Sequence, residues 1–157
     1  MIEKDIQHAV ALALEGLAID GLTVCGNYLH ANAGAVMGTE TPDCKMLAEI
    51  ITAPRSADDY GWMCPVSVRC GLLLTFRADI YPTGAEIAPV LDAIFGIVTE
   101  WARATDGTAT GDDALETDEF RPGGVRLDGG DGPTWDGEAA CWRASFNFTV
   151  RGRIKET

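Results

Sequence analysis

With 157 residues, 46% of them hydrophobic, the chain has the length and composition for one domain around a sizeable core. Its 24 acidic residues against 12 basic ones give a formal net charge of −12, which excludes phosphate-backbone binding over the whole surface and leaves room only for a local basic patch. No apolar run reaches the ~20 residues of a membrane-spanning helix. The opening "MIEKDIQHAVALALEGLAI" lacks the basic start and unbroken apolar core of a signal peptide, so a cytoplasmic setting is expected.

In chain order, Ile2, Ile6, Val10, Leu12 or Ala13, Leu14 and Leu17 recur at helical spacing, which predicts a helix over 2–18 ended by Gly16 and Gly21. "LTVCGNYLHA" predicts a strand over 22–31, "NAGAVMGTETPD" a loop, and "CKMLAEIIT" a second strand over 44–52, stopped by Pro54. The polar, Gly-interrupted stretch 55–65 reads as a loop.

From 66 to 81 the residues alternate. Val66, Val68, Cys70, Leu72, Leu74, Phe76, Ala78 and Ile80 share one face. Ser67, Arg69, Thr75, Arg77 and Asp79 share the other, with Leu73 as the apolar exception. A period of two with one apolar face predicts a long strand of an antiparallel sheet, half buried. A helix follows, with Thr83 and Glu86 at capping-box spacing and Ile87, Val90 or Leu91, Ile94, Val98 and Trp101 on one face. Pro89 requires a start near Ala85 or a bend.

The polar stretch 105–118 predicts a long mobile loop within the single domain 1–157. "FRPGGVRL" predicts a short strand and "DGGDGPTWDG" a turn. The last strand, "CWRASFNFTVRGRI", pairs back as a terminal β-hairpin. Trp142, Ala144, Phe146, Phe148 and Val150 form its dry face, and Arg143, Ser145, Asn147, Thr149, Arg151 and Arg153 its wet face. The predicted core holds Phe146, Phe148, Leu72, Leu74, Phe76 and Ile94. The expected class is α+β: an antiparallel β-sheet with helices packed on one face.

Signs of chemistry are few. Cys25, Cys44, Cys64, Cys70 and Cys141 form no C-x-x-C pair, and His8 and His30 sit in no metal or nucleophile motif, so no metal, cofactor or catalytic residue is assigned. Asp128, Asp131, Asp136 and Glu138 miss the spacing of a calcium loop and read as a solvated turn. Trp62 and Trp135 fall in polar segments, where core packing does not call for them. Both are candidate anchors at a protein interface, or lids folded back over a sheet edge.

The order of elements, carried by "IEKDIQHAVALALEGL", "VRCGLLLTFRADIY", "GAEIAPVLDAIFGIVTEW", "EFRPGG" and "EAACWRASFNFTVRGRI", resembles the tail terminator proteins of long-tailed phages, of the lambda type. The likeness spans roughly residues 1–104 and 119–154. Segments 32–43 and 105–118 are longer than that pattern, which leaves the correspondence open there. The resemblance implies a structural virion protein of the tail or neck, assembled in the host cytoplasm, without enzymatic activity. Its partners would be itself in a closed, usually hexameric ring, the tail tube protein and the head-tail connector protein, with no membrane and only transient passage of DNA through the lumen. Arg143, Arg151 and Arg153 would then meet acids of the next subunit, from 112–119, or else form the solvated side of the sheet with acids of adjacent strands as partners, or line a channel through which DNA passes. Other neck, head-completion or minor tail proteins are the alternative reading, and a small ligand-binding or enzymatic α+β domain is the more distant one.

Overall fold

The computed structural model describes residues 1–28, 45–57, 66–103 and 115–155. Its elements in chain order are α1 (Ile2–Glu15), β1 (Leu22–Gly26), β2 (Met46–Thr52), β3 (Ser56–Ala57), β4 (Val66–Arg77), α2 (Gly84–Arg103), β5 (Phe120–Asp136) and β6 (Cys141–Ile154). One sheet runs β1-β2-β4-β6-β5, and β3 lies beside the start of β4. The fold is α+β, with the expected order of helices and strands and the expected β5–β6 hairpin.

The sheet is mixed rather than purely antiparallel, because β1 runs parallel to β2. Alternation marks the two faces of a strand and carries nothing about its direction, so this edge pair was not legible in the sequence. The remaining ladders are antiparallel.

Burial follows the period of two. In β4 the residues alternate strictly between buried and at least partly exposed, from Val66 to Arg77. Ile50 lies opposite Leu72, and Leu72 opposite Phe146. Residues opposite one another share a face, so β2, β4 and β6 present one continuous apolar surface.

Both helices cover that surface. Helix α1 packs on β1 and β2 through Ile2, Ile6, Val10 and Leu14, one residue per turn. Helix α2 packs on β5 and β6 through Ile87, Leu91, Ile94, Val98 and Trp101. Phe95 stacks on Phe146 with centroids 4.4 Å apart, and Trp101 tilts against Phe148 at 6.0 Å. Phe148, Leu72, Leu74, Phe76 and Ile94 are buried as expected. Phe146 is only half-buried, because its cover is one aromatic ring at the flank of α2. Pro89 sits inside α2, in its second turn and exposed, where the N–H it lacks would have reached the carbonyl of Ala85.

The "DGGDGPTWDG" stretch is strand, not turn. Strand β5 continues to Asp136 and stays paired with β6 throughout, absorbing its glycines and prolines in register shifts at Pro122/Gly124, Leu127/Gly129 and Asp131/Thr134. An edge position tolerates this, because proline's missing donor can face away from the ladder and bulges take up the extra residues. The actual turn is Gly137–Ala140, where Asp136 accepts from the backbone amides of Glu138 (3.1 Å) and Ala139 (3.2 Å) and Ala140 takes a positive φ of 50°.

Gly152 belongs to the core side of β6. A Cβ there would lie 2.2 Å from the carbonyl oxygen of Arg121 and 2.4 Å from the ring of Phe120, so the absence of a side chain lets Phe120 lie across the strand.

Of the expected mobile loop 105–118, residues 105–114 lie outside the described residues. In residues 115–118, Leu115 is fully buried, the amide of Thr117 donates to the carbonyl of Phe120 at 3.0 Å, and Glu116 pairs with Lys155 and Arg121. One leucine anchors a stretch whose composition is otherwise that of a loop. Residues 29–44 and 58–65, parts of the other expected loops and strand ends, also lie outside the described residues.

Candidate interface on the open sheet face

Among the described residues, no element covers the other side of the sheet. It carries Leu47, Glu49 and Ile51 of β2 and the odd-numbered residues of β4 and β6. The register arranges them in cross-strand rows. Arg69 lies opposite Thr149, which lies opposite Arg126. Next comes Ile51 with Gly71, Asn147 and Gly129, then Glu49 with Leu73, Ser145 and Asp131. Thr75, Arg143 and Thr134 follow. Leu73 and Ile51 are 41% and 42% exposed in the middle of this face.

Gly71 leaves a gap between the Arg69 row and Leu73. A Cβ there would already approach the Asn147 side-chain oxygen at 3.1 Å. The result is a hollow of about 520 Å³ walled by Ile51, Arg69, Leu73, Arg126 and Asn147.

The charges on this face divide into two groups. One group is satisfied within the subunit. Arg126 Nε donates to Asp128 at 2.8 Å, and the Thr149 hydroxyl donates to the other oxygen of that carboxylate. Burial pushes the Asp128 carboxyl up, but the Thr149 hydroxyl and the Arg126 guanidinium outweigh it and hold the group below its ordinary value. Arg143 Nε lies 3.2 Å from Asp136, and Arg77 Nη2 2.7 Å from Asp79. Exposed pairs of this kind contribute only ~0–1 kcal/mol each. The second group is Arg69 and Arg153, which are exposed and have no ion pair among the described residues. Arg153 also lies directly opposite Arg121 in the β5–β6 ladder, a like-charged placement in which Arg121 has Glu116 as its counter-charge.

Three of the five residues singled out in the sequence therefore meet on one surface: Arg143, Arg151 and Arg153. Arg143 lies beside Asp136 of the neighbouring strand in the same subunit, the partner that the solvated-sheet alternative allowed, and its side chain stays largely exposed. Trp135 is a correction in place. It lies on β5 opposite Trp142, whose face is the helix side, and the two indoles meet edge to face at 5.3 Å. It is still 47% exposed. Trp62 lies outside the described residues. Of the acids at 112–119, Glu116 pairs with Lys155 and Arg121 of its own chain, and these lower its carboxyl pKa.

Ile51 and Leu73 complete the apolar centre of this face. Leu73 carried a signal, as the one apolar residue on the wet side of β4. Ile51 carried little, because "EIIT" places two isoleucines together and only the register decides which one faces outward.

The open face combines an apolar centre at Ile51 and Leu73, cations beside it, and hydroxyl and amide groups between. Elsewhere, Cys25, Cys70 and Cys141 are buried, and burial pushes the Cys70 thiol up to about 12, which keeps it protonated. His8 is exposed on α1, and His30 lies outside the described residues. Among the described residues, no group of three or more His, Cys, Asp and Glu side chains is placed to hold a metal ion. No helix among them is long and apolar enough to cross a membrane. No family model matches the chain, and no curated protein matches it.

Proposed function

We propose that this chain is a structural protein of the phage tail, a tail terminator whose copies close into a ring on the end of the tail tube. The ring stops tube polymerisation and offers the surface on which the head connector docks. Its partners are further copies of itself, the tube protein and the connector. In the virion it occupies the neck end of the tail.

The observation that carries this reading is the open sheet face. A two-layer α+β subunit that leaves Leu73 and Ile51 uncovered between arginines has a surface suited to a protein partner. The order of helices and strands, which resembles that of the tail terminators, supports the same reading. Where that face meets a different face of the next copy the contact is heterologous, and such contacts generate a ring when the rotation closes.

The test is tube length. Tail tube protein from the same source is polymerised with rising amounts of the purified protein, and the products are measured by electron microscopy. The expected outcome is tubes that shorten and carry one ring at one end. Tubes of unchanged length with bare ends would overturn the proposal.

A further inference from the structure

The open sheet face needs an occupant, and the outer surface of α2 has the complementary chemistry. Opposite its buried stripe, α2 exposes Glu86, Pro89, Ala93, Gly96 and Glu100, spaced three or four residues apart and so aligned along one side of the helix. The middle of that side is small: a Cβ added at Gly96 would meet nothing within 4 Å. Its ends are acidic, and neither Glu86 nor Glu100 has an ion pair among the described residues.

We infer that the open sheet face of one subunit receives the outer side of α2 from the next copy of the same chain, with Glu86 and Glu100 meeting arginines of the sheet and the Ala93–Gly96 segment lying over Leu73 and Ile51. This rests on the ring reading above and names both halves of its contact.

Three observations on the structure support this occupant. The first is charge. The chain carries −12 overall, yet on the side of the hollow that runs from the Arg69 row to Arg153 the described residues include Arg69, Arg126 and Arg153 beside one acid, Asp128, while Glu49 and Asp131 flank Leu73 on the hollow's other side. An acidic helix is the complement such a patch selects, and like-charged surfaces are rejected. The second is shape. Small side chains on a helix permit close approach to a sheet, and Leu73 and Ile51 stand up from that sheet as knobs beside the hollow at Gly71. The third is placement. The sheet's open side and α2's outer side are opposite surfaces of one two-layer subunit. A contact between them is therefore head to tail and leaves each subunit with both halves still available to its neighbours.

The test uses two charge-reversed variants of the full chain, Arg69→Glu/Arg153→Glu and Glu86→Lys/Glu100→Lys, with mass by light scattering and a melting curve for each. All four residues are exposed, so both variants are expected to melt as the parent does. Each alone is expected to lose the ring and run at monomer mass. Mixed in equal amounts they are expected to recover ring mass. A reversed helix then meets a reversed sheet at one contact, parent meets parent at the next, and subunits alternate.

A parent ring that both variants retain would overturn the inference and leave the ring reading standing. So would variants that each lose the ring but do not restore it when mixed. A parent that is itself a monomer would remove the ring reading. If either reversal lowers the melting temperature, Gly96→Trp replaces it as a steric block in open space. A ring that survives that block would also overturn the inference.

Discussion

At the scale of single residues, the last strand separates two phenylalanines that look equivalent in sequence. Phe148 is fully buried against Trp101, whereas Phe146 is half-buried under Phe95 alone. Truncating a fully enclosed phenylalanine costs ~3–5 kcal/mol, and a partly exposed one loses less apolar area and leaves no closed cavity. Phe148→Ala is therefore expected to lower stability by about 3–5 kcal/mol and Phe146→Ala by about 1–2 kcal/mol, read from urea midpoints. Equal losses would mean that α2 covers the strand more evenly than the structure has it. The alternation of "CWRASFNFTV" sorted these residues to the correct side of the sheet. How deeply each is buried depends on where the aromatic residues of a helix 40 or more positions earlier come down, and no local pattern carries that.

At the scale of elements, α1 is pinned to the sheet by a polar clasp as well as by its apolar stripe. Glu3 is buried, and its carboxylate receives the Arg55 guanidinium at 2.8 and 3.0 Å and the Arg55 backbone amide at 3.0 Å. The Arg55 side chain holds the Glu3 carboxyl at about 2, against the upward push of burial. A carboxyl whose pKa is depressed on folding adds stability that is present above its ordinary value near 4.5 and is lost as the pH falls toward 2. Glu3→Gln is expected to cost on the order of 2 kcal/mol at pH 7 and to close the gap to the parent between about pH 5 and 2. A gap that stays constant over that range would mean that Glu3 does not titrate in the clasp. A turn further on, the Gln7 side-chain amide donates to the Ile50 carbonyl at 2.6 Å and its oxygen accepts from the Tyr28 amide at 2.9 Å. None of this was legible in the sequence. Nothing in the sequence singled out Glu3, Gln7 or Arg55, and pairings across 21 to 52 positions follow only from the fold. Strand β5 failed to be legible for another reason. Its glycines, aspartates and Pro133 are turn residues by local preference, and the long ladder with β6 overrides that preference at an edge where bulges are tolerated. The helices and β4 were legible because their burial repeats with the period of the element.

At the scale of the whole molecule, the described residues form a two-layer subunit whose helix layer covers one side of the sheet, while no described element covers the other, where Ile51 and Leu73 are exposed. The strongly negative chain gathers several of its 12 basic residues on that open side. Half of the candidate interface was visible in the sequence as the wet face of the last strand. The other half, Arg69, Leu73 and Ile51, lies on β4 and β2 and joins Arg151 and Arg153 only through the sheet order. That convergence is what turns a row of arginines into a surface with an apolar centre. The measurement that bears most directly on assembly is the solution mass of the purified parent chain by light scattering, taken at low and high salt. The account expects a single species at a fixed multiple of 16.7 kDa, shifting toward monomer as salt screens the arginine–carboxylate contacts across the interface. A species that stays at 16.7 kDa at every concentration and salt level would contradict it.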